Sequence, residues 1–120
     1  MSNITFEGLN DYLSGRLSTF GKYVIKGTTP KITCTDGVTL SVQTGKTLYC
    51  SPREDTGPWF QVEVGFPSIA PPETWAEYFD GDWASDDRTS SVYGYIPIDL
   101  VIEFINDHGG AELSAKEKQS

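Results

Sequence analysis

A chain of 120 residues with nine Lys and Arg against seventeen Asp and Glu carries a formal charge of −8. That length suits one domain burying roughly two-thirds of its surface. The 38% apolar content excludes a disordered chain, no apolar run approaches the ~18 residues of a membrane span, and the negative charge argues against direct binding to a phosphate backbone.

In chain order, Phe6, Leu9, Leu13 and Leu17 recur at spacings of three and four, with Tyr12 beside them. This predicts an amphipathic helix from about Thr5 to Leu17, capped by Asn3 or Thr5. Gly8 and Gly15 each weaken it by roughly 1 kcal/mol against Ala, so it must depend on packing. Tyr23-Val24-Ile25 is a short β-prone run that ends in a turn-like cluster, Gly27-Thr28-Thr29-Pro30. Lys31 to Thr35 and Val38 to Gln43 flank Asp36-Gly37, a strong hairpin signal. In the second arm Val38, Leu40 and Val42 share one face and Thr39, Ser41 and Gln43 the other. Thr47 to Cys50 reads as a further short strand, and residues 51 to 58 as a polar loop.

Trp59 to Phe66 reads as a strand with Phe60, Val62 and Val64 on one side, stopped by Pro67. Pro71 to Phe79 predicts a short helix with proline in its first turn. Asp80 to Ser91 follows as an acidic, serine-rich loop. Val92 to Ile96 is the last strand, in which Gly94 suggests a bulge or a close backbone approach that would put Tyr93 and Tyr95 on one face. Pro97 opens a helix striped by Ile98, Val101, Ile102 and Ile105 and terminated by Gly109-Gly110. The expected class is α+β: one domain over 1–110, an antiparallel sheet of four to five strands with an N-terminal and a C-terminal helix packed on one face, and a polar, frayed tail over 111–120.

Chemistry is sparsely signalled. No phosphate-binding glycine loop, dinucleotide fingerprint or nucleophile elbow is present, so neither a cofactor nor a catalytic residue is assigned and a non-enzymatic role is expected. His108, the sole histidine, sits where a helix C-terminus favours an imidazolium; it is also the one neutral-pH base for Cys34, Cys50 or a serine. Without a basic, apolar leader the expected compartment is the cytoplasm, with Cys34 and Cys50 as buried free thiols. The two cysteines and His108 lack the short spacings of a zinc site, and no metal is expected. Asp80 to Asp87 superficially matches a calcium loop, but Ser85 stands where the sharp turn needs glycine and Ser91 where a bidentate Glu belongs.

Charge carries more information. Between positions 73 and 103 lie Glu73, Glu77, Asp80, Asp82, Asp86, Asp87, Asp99 and Glu103 against Arg88 alone. Such a field steers a basic partner and repels nucleic acid. Trp75, Tyr78, Phe79 and Trp83 are interleaved with the acids, the composition of an interface hot spot inside a polar rim. The candidate partner-binding set is therefore Glu73, Trp75, Glu77, Asp80, Asp82, Trp83, Asp86 and Asp87, with Trp83 or Trp75 as the buried anchor. A competing reading makes Trp75, Tyr78 and Phe79 core residues of the short helix and the acids a solubilising surface.

In size, in the charge over residues 73 to 103, and in the segments Val62 to Pro67 and Val92 to Pro97, the chain resembles the small acidic accessory proteins of bacteriophages and prophages, including the anti-CRISPR and DNA-mimicking anti-restriction inhibitors. The resemblance implies stoichiometric binding to a basic, nucleic-acid-handling host protein in the host cytoplasm, with the acids occupying a channel meant for DNA or RNA. DNA mimics of this length are often more acidic than −8, which makes the mimicry partial. The rival expectation is a phage structural or assembly module that self-associates through its sheet, for instance as a homodimer.

Overall fold

A computed structural model describes residues 3–14, 17–20, 23–26, 29–54 and 57–113, with 17–20 and 23–26 described as backbone alone. Helix α1 (Phe6–Ser14) opens the chain. The Thr5 hydroxyl caps it by accepting from the Gly8 N–H at 3.0 Å. Leu9 and Leu13 are buried on its inner face. The helix is shorter than its stripe predicts, and Leu17 belongs instead to β1 (Leu17–Phe20), paired antiparallel with β2 (Tyr23–Lys26) from Leu17↔Lys26 to Phe20↔Tyr23. Strand pairing by the β-prone run outweighs a helical continuation that would have had to carry Gly15. The turn expected at Gly27-Thr28 and the tail from 114 onward lie outside the described residues.

Four strands then form an antiparallel meander in the order β3 (Ile32–Thr33), β4 (Thr39–Gln43), β5 (Gln61–Gly65), β6 (Val92–Pro97). Helix α2 (Ile98–Asp107) completes the α+β domain. The Asp36-Gly37 hairpin forms as the turn residues demand. Cys34 N–H donates to Val38 O at 2.7 Å, Val38 N–H donates to Asp36 Oδ1 at 3.1 Å, and Gly37 takes φ +98°. Leu40, Val42, Val62, Val64, Tyr93 and Ile96 point from the sheet into one core, which receives Leu9 and Leu13 of α1 and Val101 and Ile105 of α2. Thr39, Ser41, Gln43, Gln61 and Glu63 face the other way and are half-exposed, the alternation that a one-sided sheet requires.

Local pattern and structure part at four places. Thr47 to Cys50 is a run of turns, because Leu48 N–H bonds back to Gly45 O at 3.1 Å and the Cys50 thiol donates to Gly45 O at 3.2 Å, folding the segment on itself. Phe60 leaves the face of Val62 and Val64. Both the Phe60 and the Gln61 N–H donate to Ser51 O, an irregularity that turns its ring outward onto Phe6, 5.6 Å away. In α2 the fully buried set is Ile98, Val101, Phe104 and Ile105, with Ile102 only half-buried. In β6, Gly94 and Tyr95 stand opposite Glu63 alone, so a bulge breaks the alternation. Tyr93 is buried while Tyr95, at φ +53°, is exposed beside Tyr49, so the two tyrosines do not share a face. A Cβ at Gly94 would lie 3.1 Å from Tyr49 Cβ, the close approach that glycine permits here.

Candidate functional site

The segment between β5 and β6 builds the acidic region. Pro71 and Pro72 start a 3-10 helix, Glu73–Tyr78, with Pro72 as N-cap; the prediction of a short helix holds, in the tighter 3-10 form. Phe79 then pairs with Tyr93 in an isolated antiparallel bridge. Asp80 N–H donates to Val92 O and the Ser91 hydroxyl to Asp80 O, both at 2.9 Å, so the loop 80–91 starts and ends at the same place, as an Ω-loop does.

Its floor is aromatic. Trp75, 1% exposed, stands edge-on to Tyr93 at 5.3 Å and lies 5.1 Å from Phe104 of α2. Phe79 packs against Tyr93 at 5.2 Å and against Trp83 at 5.6 Å. Burial pushes the Tyr93 phenol up to about 12, and its hydroxyl donates to Arg88 O at 2.7 Å. Arg88 is turned back onto this floor: Nε donates to Trp83 O at 2.8 Å and the guanidinium carbon lies 4.2 Å above the Trp83 ring. Trp75 therefore presents no surface to a partner, which corrects its expected role as an anchor. Trp83, half-buried and clamped between Phe79, Tyr93 and Arg88, organises the loop from within.

The carboxylates lie above. Glu73, Glu77, Asp80, Asp82, Asp86 and Asp87 are all exposed. Asp82 accepts from Ala84 N–H at 3.1 Å and from the Ser85 hydroxyl at 2.9 Å, and Asp86 accepts from Asp82 N–H at 2.9 Å. Asp87 accepts from the Thr89 hydroxyl at 2.7 Å and from Thr89 N–H at 2.9 Å. These bonds hold two carboxyls below the usual carboxylate range, Asp82 chiefly through the Ser85 hydroxyl and Asp87 chiefly through that of Thr89. The donors are neutral, so the bonds order the loop without cancelling charge. The pairing of His108 with Asp36, an ion pair when the imidazole is protonated, is remote in sequence from the loop. No group of three or more His, Cys, Asp or Glu among the described residues is placed to hold a metal ion.

That contact closes the β3–β4 hairpin onto the end of α2, where the His108 ring lies 4.8 Å from Phe104. His108 is the C-cap of α2, which ends as expected at two glycines of positive φ, with Gly110 N–H donating to Ile105 O at 2.9 Å. The imidazole Nδ1 lies 2.7 Å from Asp36 Oδ2, and Thr35 N–H and hydroxyl bond to Gly110 O and Gly109 O. Asp36 is held below its ordinary value mainly by the His108 bond. Cys34 and Cys50 are both buried and form no disulfide, and burial pushes the Cys34 thiol up to about 11, so it is protonated at neutral pH.

One feature of this region had no signal in the charge pattern. Immediately after β5, Phe66 is 51% exposed in the left-handed region at φ +51°, and Ile69 is also exposed. The hint available was a run of apolar residues between prolines, Phe66-Pro67-Ser68-Ile69-Ala70-Pro71-Pro72, with no helical or strand period. Compared with known proteins, the chain matches no protein-family model, no curated protein and no solved structure.

Proposed function

We propose that this chain is a non-enzymatic protein-binding inhibitor of a nucleic-acid-handling defence complex, of the anti-CRISPR or anti-restriction type. Its acidic face occupies a basic groove made for DNA or RNA in a host protein of the cytoplasm. The observation that carries this reading is the use of Arg88. Eight carboxylates crowd positions 73 to 103, and the single cation among them is spent on the Trp83 ring and carbonyl rather than on any carboxylate. An ordered loop that displays unneutralised negative charge suits a basic groove, because its geometry is set before binding and its field steers association.

The test is recovery of partners by the tagged protein from a bacterial lysate at low salt and at about 0.5 M salt, with DNA as competitor, since exposed charge pairs are screened within a few ångströms at the higher strength. The expected result is a nucleic-acid-binding protein released by salt and displaced by DNA, and lost when Asp80, Asp82, Asp86 and Asp87 are all replaced by Asn. Recovery unaffected by those four replacements would overturn the mimicry.

A second reading, self-association through the sheet, is favoured by Tyr49 and Tyr95, exposed aromatics with rings 5.8 Å apart. Light scattering separates the two: mass that rises with concentration supports assembly, and a constant monomer mass supports the inhibitor.

A further inference from the structure

Phe66 sits in backbone that bulky side chains rarely adopt, and its ring gains little in return, being half in water. The conformation is imposed by its surroundings. Phe66 N–H donates to Ser91 O at 3.1 Å, and two residues on Ser68 is fastened to β4, its N–H to Thr39 O at 2.8 Å and its hydroxyl receiving Thr39 N–H at 2.9 Å. The Ser91 that receives Phe66 is the residue whose hydroxyl holds Asp80 O, so the aromatic is tied through one residue to the base of the acidic loop. Phe66, Ile69, Ala70 and Pro72 are all exposed, and Glu73 follows directly. An apolar prow thus abuts the negative face, whereas Trp75 and Trp83, the aromatics interleaved with the acids, are held in or against the core.

We infer that Phe66 is the apolar anchor of the acidic face, and that the partner is a basic protein surface with an apolar recess at its border. The inference rests on the proposed acidic docking and adds a specificity determinant to it. Charge complementarity selects the occupant: a recess without basic surroundings would bring no matching charge to Asp80 and its neighbours, and a bare polycation would leave Phe66 in water.

Two lysine-rich peptides, identical but for glycine or leucine at one central position, serve as probes, with affinity read by fluorescence anisotropy across a salt series. The leucine peptide should bind about fivefold more tightly. Phe66→Gly should erase that preference while keeping the salt dependence, and the four Asp→Asn replacements should flatten the salt dependence. If the preference is absent, or survives in Phe66→Gly, the anchor is wrong and the acidic docking stands. If neither peptide shows salt-dependent binding, the docking falls and the anchor with it. Glycine adopts this φ freely, so Phe66→Gly should melt at or above the wild-type temperature. A fall of several degrees, repeated in Phe66→Asn, would make Phe66 a structural residue and overturn the inference.

Discussion

Aspartates do opposite things at two places in this domain. In the β3–β4 turn, Asp36 meets His108 at 2.7 Å and closes the hairpin onto the end of α2. In the loop 80–91, Asp82 and Asp87 bind N–H groups and hydroxyls of Ala84, Ser85 and Thr89. Both arrangements order the backbone, but only the first uses a partner able to carry a countercharge when protonated. A carboxylate satisfied by neutral donors keeps its field, so a loop can be rigid and still strongly negative. Arg88 completes the contrast by turning to the aromatic floor.

The hardest break in that contrast removes the floor. Trp75→Ala should cost about 3–5 kcal/mol in urea unfolding, from the buried volume lost beneath the loop. Hydrogen exchange should then show the loop 80–91 opening while the Asp36 hairpin stays protected until global unfolding. Next, Arg88→Met should destabilise by about 1 kcal/mol through the lost ring contact and Nε bond, and should strengthen salt-dependent binding to a basic peptide, since the loop's one cation is gone.

Acid titration sharpens the comparison. Asp36, Asp82 and Asp87 all have folded values below their unfolded ones. Their contribution is therefore present above the unfolded carboxylate value near 4 and lost as pH falls through the folded values. Asp82→Asn with Asp87→Asn should lower the urea midpoint at pH 7 slightly, because one amide oxygen cannot take both the Ala84 N–H and the Ser85 hydroxyl that Asp82 receives on separate oxygens, and should make it less sensitive to pH below 4. The smallest effect belongs to Asp36→Asn. It should shift the melting temperature only slightly at neutral pH, because the pair is solvent-exposed on the Asp36 side.

Local chemistry made several elements legible. The Asp36-Gly37 turn needs a positive φ and an Asx acceptor, both supplied by adjacent residues, and the hairpin follows. The presence of α2 and its stop at Gly109-Gly110 depend on spacing and glycine within one segment, although Phe104 rather than Ile102 completes its buried face. The acidic segment was legible as a count of charges. Phe60, Thr47 to Cys50 and the Tyr93/Tyr95 pair were not, because each is set by hydrogen bonds that the apolar–polar alternation does not encode: Ser51 with Gln61, Cys50 with Gly45, Tyr95 N–H with Tyr49 O at 2.8 Å. Trp75, Trp83 and Phe66 share the same limit. All three are aromatics near acids in the chain, and what separates core from surface is the packing of Tyr93 and Phe104 around the two tryptophans.

The sequence by itself determined the class of the domain, the hairpin, the presence of both helices and the concentration of negative charge between Glu73 and Glu103, because periodicity, turn chemistry and charge are properties of neighbouring residues. Tertiary structure alone decided that Arg88 turns inward, that Trp75 is swallowed by the core and that Phe66 is held outward. Where these side chains point depends on a floor built by Trp75, Tyr93 and Phe104, which come together only when the sheet and α2 close around them.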